Sequence, residues 1–324
     1  MVPMSAERAP RCTLSLFVRN DVIVFFAPLF PDRLLLFLVK SLRRIYFFMR
    51  KRERKDIESN IRGSLVGRGE QINRVIENYY ANIDWHNLER IILTTSVRRI
   101  HKFFNGIIEI KGLDYITRRY EERRGLILFA PHFGPYSLVF LRKGVPSNYN
   151  VCVIVKPTSR SLEYWKLLRN LNRTSNTSII IPEKETTNRI VHKLNMGHVV
   201  IIFSDRAHFT DVKRNITVSI FGNKVFTQKG IAVIMKKTGA PVLSMHSVRL
   251  SDQLPLKYRI VFENQIFEKS DYSKSVQEIM QILYNRLEEL VREKPDYWER
   301  WKKFEKWRVR NHHLENALGN NNDQ

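Results

Sequence analysis

Downstream of Gly125 the chain alternates short apolar runs with stretches of helical period. The runs fall at 126–130, 151–155, 179–181, 199–203, 242–245 and 258–262, and the helical stretches at 162–171, 186–194 and 229–237, with a longer one at 275–292. Unbroken apolar runs are the mark of strands buried on both faces, and such strands need helical crossovers to lie parallel. This part of the chain therefore predicts an α/β fold with a central, mostly parallel sheet flanked by helices. Between 69 and 95, Ile72, Val75, Ile76, Tyr79, Tyr80, Ile83 and Leu88 recur near a period of 3.6, which predicts core-facing helix.

The N-terminal pattern is different. Residues 22–31 and 34–39 are almost wholly apolar, split by Asp32 and Arg33, with Pro28 and Pro31 as breakers. A bilayer-spanning helix needs about 20 predominantly apolar residues, so neither run spans alone, and together they read as a re-entrant or surface-lying segment. Arg8 and Arg11 precede a short apolar stretch, 14–18, interrupted by Arg19, Asn20 and Asp21, which lacks the run and cleavage site of a signal peptide. The N-terminus is expected to be retained. Next, Lys40, Arg43, Arg44, Arg50, Lys51, Arg52, Arg54 and Lys55 interleave with Ile45, Tyr46, Phe47, Phe48 and Met49. Rings beside cations suit a headgroup layer, where each basic residue gains about 1 kcal/mol near an anionic leaflet. A core helix followed by a solvated basic helix gives the same spacing. The organisation predicted is a membrane-associated apolar and basic segment at 1–60, an α/β domain at 61–310 and a flexible polar tail at 311–324.

Composition narrows the partners. The 324 residues include 55 Lys+Arg and 32 Asp+Glu, a net charge of +23, and 43% are hydrophobic, which excludes a disordered chain. The charge fits nucleic acid, an anionic membrane or an acidic carrier protein. Nucleic acid is set aside because no helix-turn-helix, zinc-finger or RNP pattern occurs. Cys12 and Cys152 form no CxxC pair and no disulfide framework, and neither a metal nor a separate cofactor is expected.

In a parallel sheet, ligands collect beyond the carboxyl ends of the strands. His132 follows the first run, within Ala130-Pro131-His132-Phe133-Gly134-Pro135-Tyr136-Ser137, and Asp205 follows the run that ends at Phe203. A histidine titrating near neutrality serves as a general base when a partner, normally a carboxylate, fixes its tautomer. His86, His101, His192, His198, His208 and His246 show no metal-ligand spacing and read as ordinary surface or half-buried residues; His312 and His313 add charge to a basic tail. Trp298, Trp301 and Trp307, with Lys302, Lys303, Lys306, Arg308 and Arg310, read either as a membrane-interface anchor or as a helix packing its rings inward. Ser204 lies in no Gly-x-Ser-x-Gly elbow, and the isolated glycines form no nucleotide loop.

Four stretches, in this order, resemble the bacterial late acyltransferases of lipid A synthesis, a branch of the lysophospholipid acyltransferase superfamily. They are Gly125 through His132-Phe133-Gly134; Lys156-Pro157 upstream of Trp165; Leu194 through Gly197 to Asp205, continuing with Phe221-Gly222, Thr227, Gly230 and Lys237 through Val242; and Pro295-Asp296-Tyr297-Trp298 with its basic continuation. The resemblance implies a glycerophosphate acyltransferase-like fold. It also implies transfer of a fatty acyl chain from acyl carrier protein, or acyl-CoA, to a hydroxyl of a membrane glycolipid such as a lipid A precursor, at the cytoplasmic face of the bacterial inner membrane. Acyl carrier protein, anionic membrane lipids and the glycolipid acceptor are then the partners. Three positions depart from the family pattern: Ser137 stands where it has a carboxylate five residues after the histidine, Lys156 stands where it has arginine, and Ala207 replaces the second of two paired aspartates. The roles implied are His132 as base, Asp205 or Asp211 as a displaced carboxylate, and Lys156, Arg206, Ser137 and Gly134 as oxyanion or substrate-binding residues. A catalytically impaired homologue that binds lipid or carrier protein without turnover is the alternative.

Overall fold

The computed structural model describes residues 26–67, 69–104, 108–136, 138, 145–146, 148–154, 177–180, 185–207, 214–267 and 269–309. The expected helix at 162–171, the tail at 311–324 and the first 25 residues lie outside them, as do Ser137, Lys156, His208 and Asp211.

Seven strands form one sheet. They are β1 (Ile108–Lys111), β2 (Leu126–Phe129), β3 (Val151–Ile154), β4 (Thr177–Ile180), β5 (Val199–Ile202), β8 (Val242–Arg249) and β9 (Tyr258–Gln265), in the order β1-β9-β8-β2-β5-β3-β4. All neighbours run parallel except β8 and β9. A separate antiparallel hairpin joins β6 (Asn215–Ile220) and β7 (Asn223–Gln228). The apolar runs thus became strands. Sequence reading passed over β1, whose Ile-Glu-Ile-Lys is largely exposed and carries too little apolar signal, and also passed over the hairpin.

β2 is central and wholly buried. Ile127 and Phe129 point into one hydrophobic cluster while Leu126 and Leu128 point into another, so alternate side chains of a single strand feed the cores on both faces. The strand starts close under a helix, α6 (Thr186–Asn195), and only glycine fits there: Gly125 has φ +70°, and a Cβ on it would lie 2.4 Å from the Leu194 carbonyl oxygen. On the first face pack α7 (Gly230–Thr238) and α8 (Val276–Glu293). The latter opens with a capping box in which Ser275 Oγ accepts from the Glu278 amide and the Ser275 amide donates to Glu278.

The N-terminal apolar stretch is divided just before Asp32, where a single 3-10 turn at Ala27–Leu29 has already ended. Asp32 starts a continuous helix, α1 (Asp32–Met49), followed by α2 (Lys51–Ser64) and α3 (Gly69–Leu93). Arg99 holds the entry to α1, donating to the Phe30 carbonyl and the Asp32 carboxylate at 2.6 Å each, and also to the Ala27 carbonyl. Leu35, Val39 and Phe47 turn inward, and Ile57 and Ile61 of α2 join the core that underlies the sheet. The opposite side of α1 presents Leu34, Phe37, Ile45, Phe48 and Met49 to solvent, with Phe48 73% exposed. Among the described residues no helix is long and apolar enough to cross a membrane.

Trp298, Trp301 and Trp307 are buried and make edge-to-face contacts with one another and with Phe304. Of the two readings their spacing allowed, the inward-packed one describes them. His86 and His198 are likewise buried rather than surface or half-buried.

Candidate active site

The register of β2 on β5 pairs Phe129 with Ile202. Because the strands are parallel, the chain leaves both on the same edge, and His132 and Asp205 each lie three residues beyond that pair. There His132 Nδ1 lies 2.6 Å from Asp205 Oδ1, and the His132 amide donates to Asp205 Oδ2 at 3.0 Å. The carboxylate is fully buried and takes a third hydrogen bond at Oδ2 from Trp298 Nε1 at 3.1 Å.

This geometry sets the protonation of the pair. Burial pushes the Asp205 carboxyl up, but the facing histidine, its hydrogen bonds and the nearby Arg300 guanidinium outweigh that and hold it below the usual carboxylate range. Burial, then the positive charge of Arg300, pushes His132 below its ordinary value of about 6.5 against the opposing pull of Asp205. At neutral pH the carboxylate is ionised and the imidazole neutral. An ionised carboxylate only accepts, so Nδ1 carries the proton and Nε2 is the free basic nitrogen. The imidazole keeps 11% of its side chain open to solvent, so a substrate hydroxyl has an approach.

Gly134 is held closely by its neighbours. Its φ is +57°, a Cβ would lie 2.1 Å from the Ser247 carbonyl oxygen, and its amide donates to the Tyr297 carbonyl at 2.9 Å. The amides of Phe133 and Tyr136 are also committed, to Pro131 and Gly134 carbonyls. With the His132 amide held by Asp205, each of these loop amides has a partner within the protein, and the absence of a Cβ at Gly134 permits the close packing.

The wall of the site comes from the last turns of the described chain. Phe133 forms an antiparallel bridge with Trp298, and the Glu299 amide donates to the His132 carbonyl at 3.0 Å. Tyr136, its ring 5.0 Å from that of His132, donates its hydroxyl to Glu299 Oε2 at 2.6 Å, while Lys302 pairs with Oε1. Although burial opposes it, the charges of Lys302 and Arg300 hold Glu299 well below the ordinary carboxylate range. His86 of α3 stacks obliquely on Tyr136 at 4.6 Å; burial lowers its titration to about 3. The Asp205 loop is braced from the other side. The Tyr284 hydroxyl donates to Thr227 Oγ1 at 2.6 Å, and the Gln228 amide donates to the Arg206 carbonyl at 3.0 Å.

The structure therefore brings His132, Asp205, Arg206 and Gly134 to one edge, while Lys156, Ser137 and Asp211 lie outside the described residues. Sequence reading missed Tyr136, Glu299, Arg300 and His86. A signal for two of them was present: Glu299 and Arg300 stand between Trp298 and Trp301, and charges flanked by tryptophans are candidates for burial. Among the described residues no group of three His, Cys, Asp or Glu side chains could hold a metal ion.

Residues 10–303 match the sequence profile of the bacterial lipid A biosynthesis acyltransferase family. No curated protein sequence gives a match.

Proposed function

Because the chain belongs to the bacterial lipid A biosynthesis acyltransferase family, whose activity is acyl transfer to a lipid A-type glycolipid, we propose that it is a working enzyme with His132 as general base and Asp205 as the carboxylate that orients it. The observation that carries this reading is the buried 2.6 Å contact between His132 Nδ1 and Asp205 Oδ1. Asp205 supplies through space the carboxylate that Ser137 lacks.

In the proposed reaction the donor is an acyl thioester of acyl carrier protein or coenzyme A, and the acceptor is a hydroxyl of a lipid A precursor. Nε2 of His132 takes the hydroxyl proton as the oxygen attacks the thioester carbonyl. The tetrahedral intermediate collapses with loss of thiolate, and the imidazolium returns the proton to the leaving sulfur, so the ester and the free thiol are the products. Asp205 stays ionised and stabilises the imidazolium. With the loop amides committed, the developing oxyanion is left to side chains, and Lys156 and Arg206 are the residues proposed for it.

Members of this family work at bacterial membranes. We place the outward face of α1 against the anionic inner leaflet, on the cytoplasmic side, because Phe37, Phe48 and Met49 are more than half exposed and lie among Lys40, Arg44, Lys51 and Arg52.

Mass spectrometry of membrane glycolipids from cells with the wild-type gene, with His132→Ala and with no copy tests the proposal. The expected result is one acyl chain lost both in the null strain and in His132→Ala, with the purified variant about 10²- to 10⁴-fold slower in transfer and unchanged in melting temperature. Transfer at the wild-type rate by folded His132→Ala would remove His132 as the base, whereas binding of lipid or carrier protein with no transfer by the wild-type protein would support the binding-only homologue.

A further inference from the structure

The positive charge at this edge exceeds what the dyad uses. Arg300 is 6% exposed, its Nε makes no hydrogen bond among the described residues, and the nearest carboxylate oxygen recorded for it, Asp205 Oδ2, is 4.0 Å away. That oxygen already accepts from the His132 amide and from Trp298. Arg300 is therefore not needed to satisfy Asp205, and burying a guanidinium without a hydrogen-bonding partner is costly.

The residues around it deepen the excess. Lys303 sits at the exposed rim of the same turn and, among the described residues, has no carboxylate partner; Arg206 follows Asp205 directly and has none either. The Lys303 ammonium is pushed down to about 8, by burial and then by the charges of Arg300, Lys302 and Arg206. Arg206 is lowered by burial and then by Arg300. Four cations, Arg206, Arg300, Lys302 and Lys303, face two carboxylates, Asp205 and Glu299. Both carboxylates are already engaged, and two positive charges remain over.

We propose that Arg300 and Lys303 form a seat for a phosphate group of a substrate beside the reacting hydroxyl. A phosphate monoester carries two negative charges and several acceptor oxygens, which suits a guanidinium fork and an ammonium at once. A single carboxylate would leave one charge over. The monoester belongs either to the glycolipid acceptor or to the 3′-phosphate of a coenzyme A donor; the phosphopantetheine phosphate of acyl carrier protein is a diester with a single charge. This assignment rests on the acyl-transfer reading for its purpose, but its binding is measurable without turnover.

The test starts with thermal unfolding of the full chain in sodium phosphate and in sodium chloride of equal ionic strength. Phosphate is expected to raise the melting temperature of the wild type and of a surface control, Lys257→Glu, beyond chloride. Lys303→Glu, at an exposed position that folding tolerates, is expected to need at least about tenfold more phosphate for the same rise, the loss of one charge-assisted contact. Arg300→Gln should behave likewise if it folds. Phosphate acting no better than chloride on the wild type, or equally on Lys303→Glu, overturns the seat.

Two transfer assays then assign the source. If the acceptor supplies the phosphate, phosphatase treatment of the glycolipid raises KM about tenfold or more in the wild type and little in Lys303→Glu. If the donor supplies it, replacing acyl-CoA by acyl-pantetheine does so instead. Discrimination in neither assay by an active enzyme reduces the seat to adventitious anion binding and overturns its substrate role. Phosphate binding without any transfer overturns the acyl-transfer reading while supporting the seat.

Discussion

His132 meets Asp205 at 2.6 Å, and its ring keeps 11% of its side chain open; Arg249 meets Glu89 at 2.9 Å with 1% and 0% of their side chains open. Both are buried acid–base pairs that join distant parts of the chain at a strand end, Arg249 being the last residue of β8, yet only the first keeps an open side. Asp205 accepts three hydrogen bonds and is driven below its ordinary range. In the second pair the Arg249 Nε and the Tyr258 hydroxyl share Glu89 Oε1, and Oε2 has no hydrogen-bond partner. Burial raises Glu89 against the pull of Arg249. The guanidinium continues to Asn82 at 2.5 Å, and Asn82 reaches Asp296 just before the turn that walls the active site. An arginine never gives up its proton, so this pair clamps α3 to β8, whereas a histidine paired with an ionised carboxylate is poised to trade one. Burial alone does not suit a pair to proton exchange; a titratable member with an open side does.

The largest effect that separates the two pairs is on rate. Asp205→Asn removes the charge that stabilises the imidazolium and should slow acyl transfer by about 10³- to 10⁴-fold. Folding should stay cooperative, because asparagine retains an acceptor for Trp298 and the His132 amide. Steady-state kinetics with a melting curve check it, and a loss below tenfold would remove Asp205 from the mechanism.

Next in size is an effect on stability. Arg249→Met strands Glu89 as an uncompensated buried charge and should cost about 3–5 kcal/mol in urea unfolding, whereas the double variant with Glu89→Leu should recover most of it. Failure of the double variant to recover would mean that the pair contributes more than mutual neutralisation.

Smaller effects follow from titration. Transfer needs a bare Nε2, so kcat/KM should rise with pH to a plateau whose inflection lies below 6.5, the usual histidine value of about that size, because burial depresses His132. In Asp205→Asn the residual rate should inflect at lower pH still, since the negative charge that supports the protonated ring is gone. An inflection shifted upward would contradict the arrangement. His86 binds its proton only near pH 3 when folded and near about 6.5 when unfolded. The unfolded chain therefore gains a proton first as pH falls, and stability should decline by about 1.4 kcal/mol per pH unit across that window. His86→Phe should flatten that part of the acid limb in denaturant titrations at several pH values.

The parts legible in the sequence were those encoded locally. Apolar runs located the strands that surround β2, and the residues just beyond 129 and 202 were visible as polar groups at strand ends. β1 was illegible because a short edge strand with exposed Glu109 and Lys111 carries no apolar run. The pairing of His132 with Asp205 depended on β2 and β5 being neighbours, which no local pattern states. Glu299 and Arg300 were hidden further, since their places follow from the final turns docking 166 positions away from the loop they cover. The tryptophans of those turns had the same spacing whether they faced a lipid interface or a core, and only the phenylalanine and tryptophan rings opposite them decide which.

The bridge between Phe133 and Trp298 also has a meaning in time. A ribosome adds about 5–20 residues per second and domains form from the N-terminus onward, so roughly ten to thirty seconds pass between synthesis of the His132 loop and synthesis of the tryptophan that donates to Asp205. Within that interval β5 and β8, the neighbours of β2, are made first, and Trp298, Glu299 and Arg300 come last. Assembly of the candidate site is consequently a late event in the life of the nascent chain, and the indole of Trp298 acts as the latch that ends it.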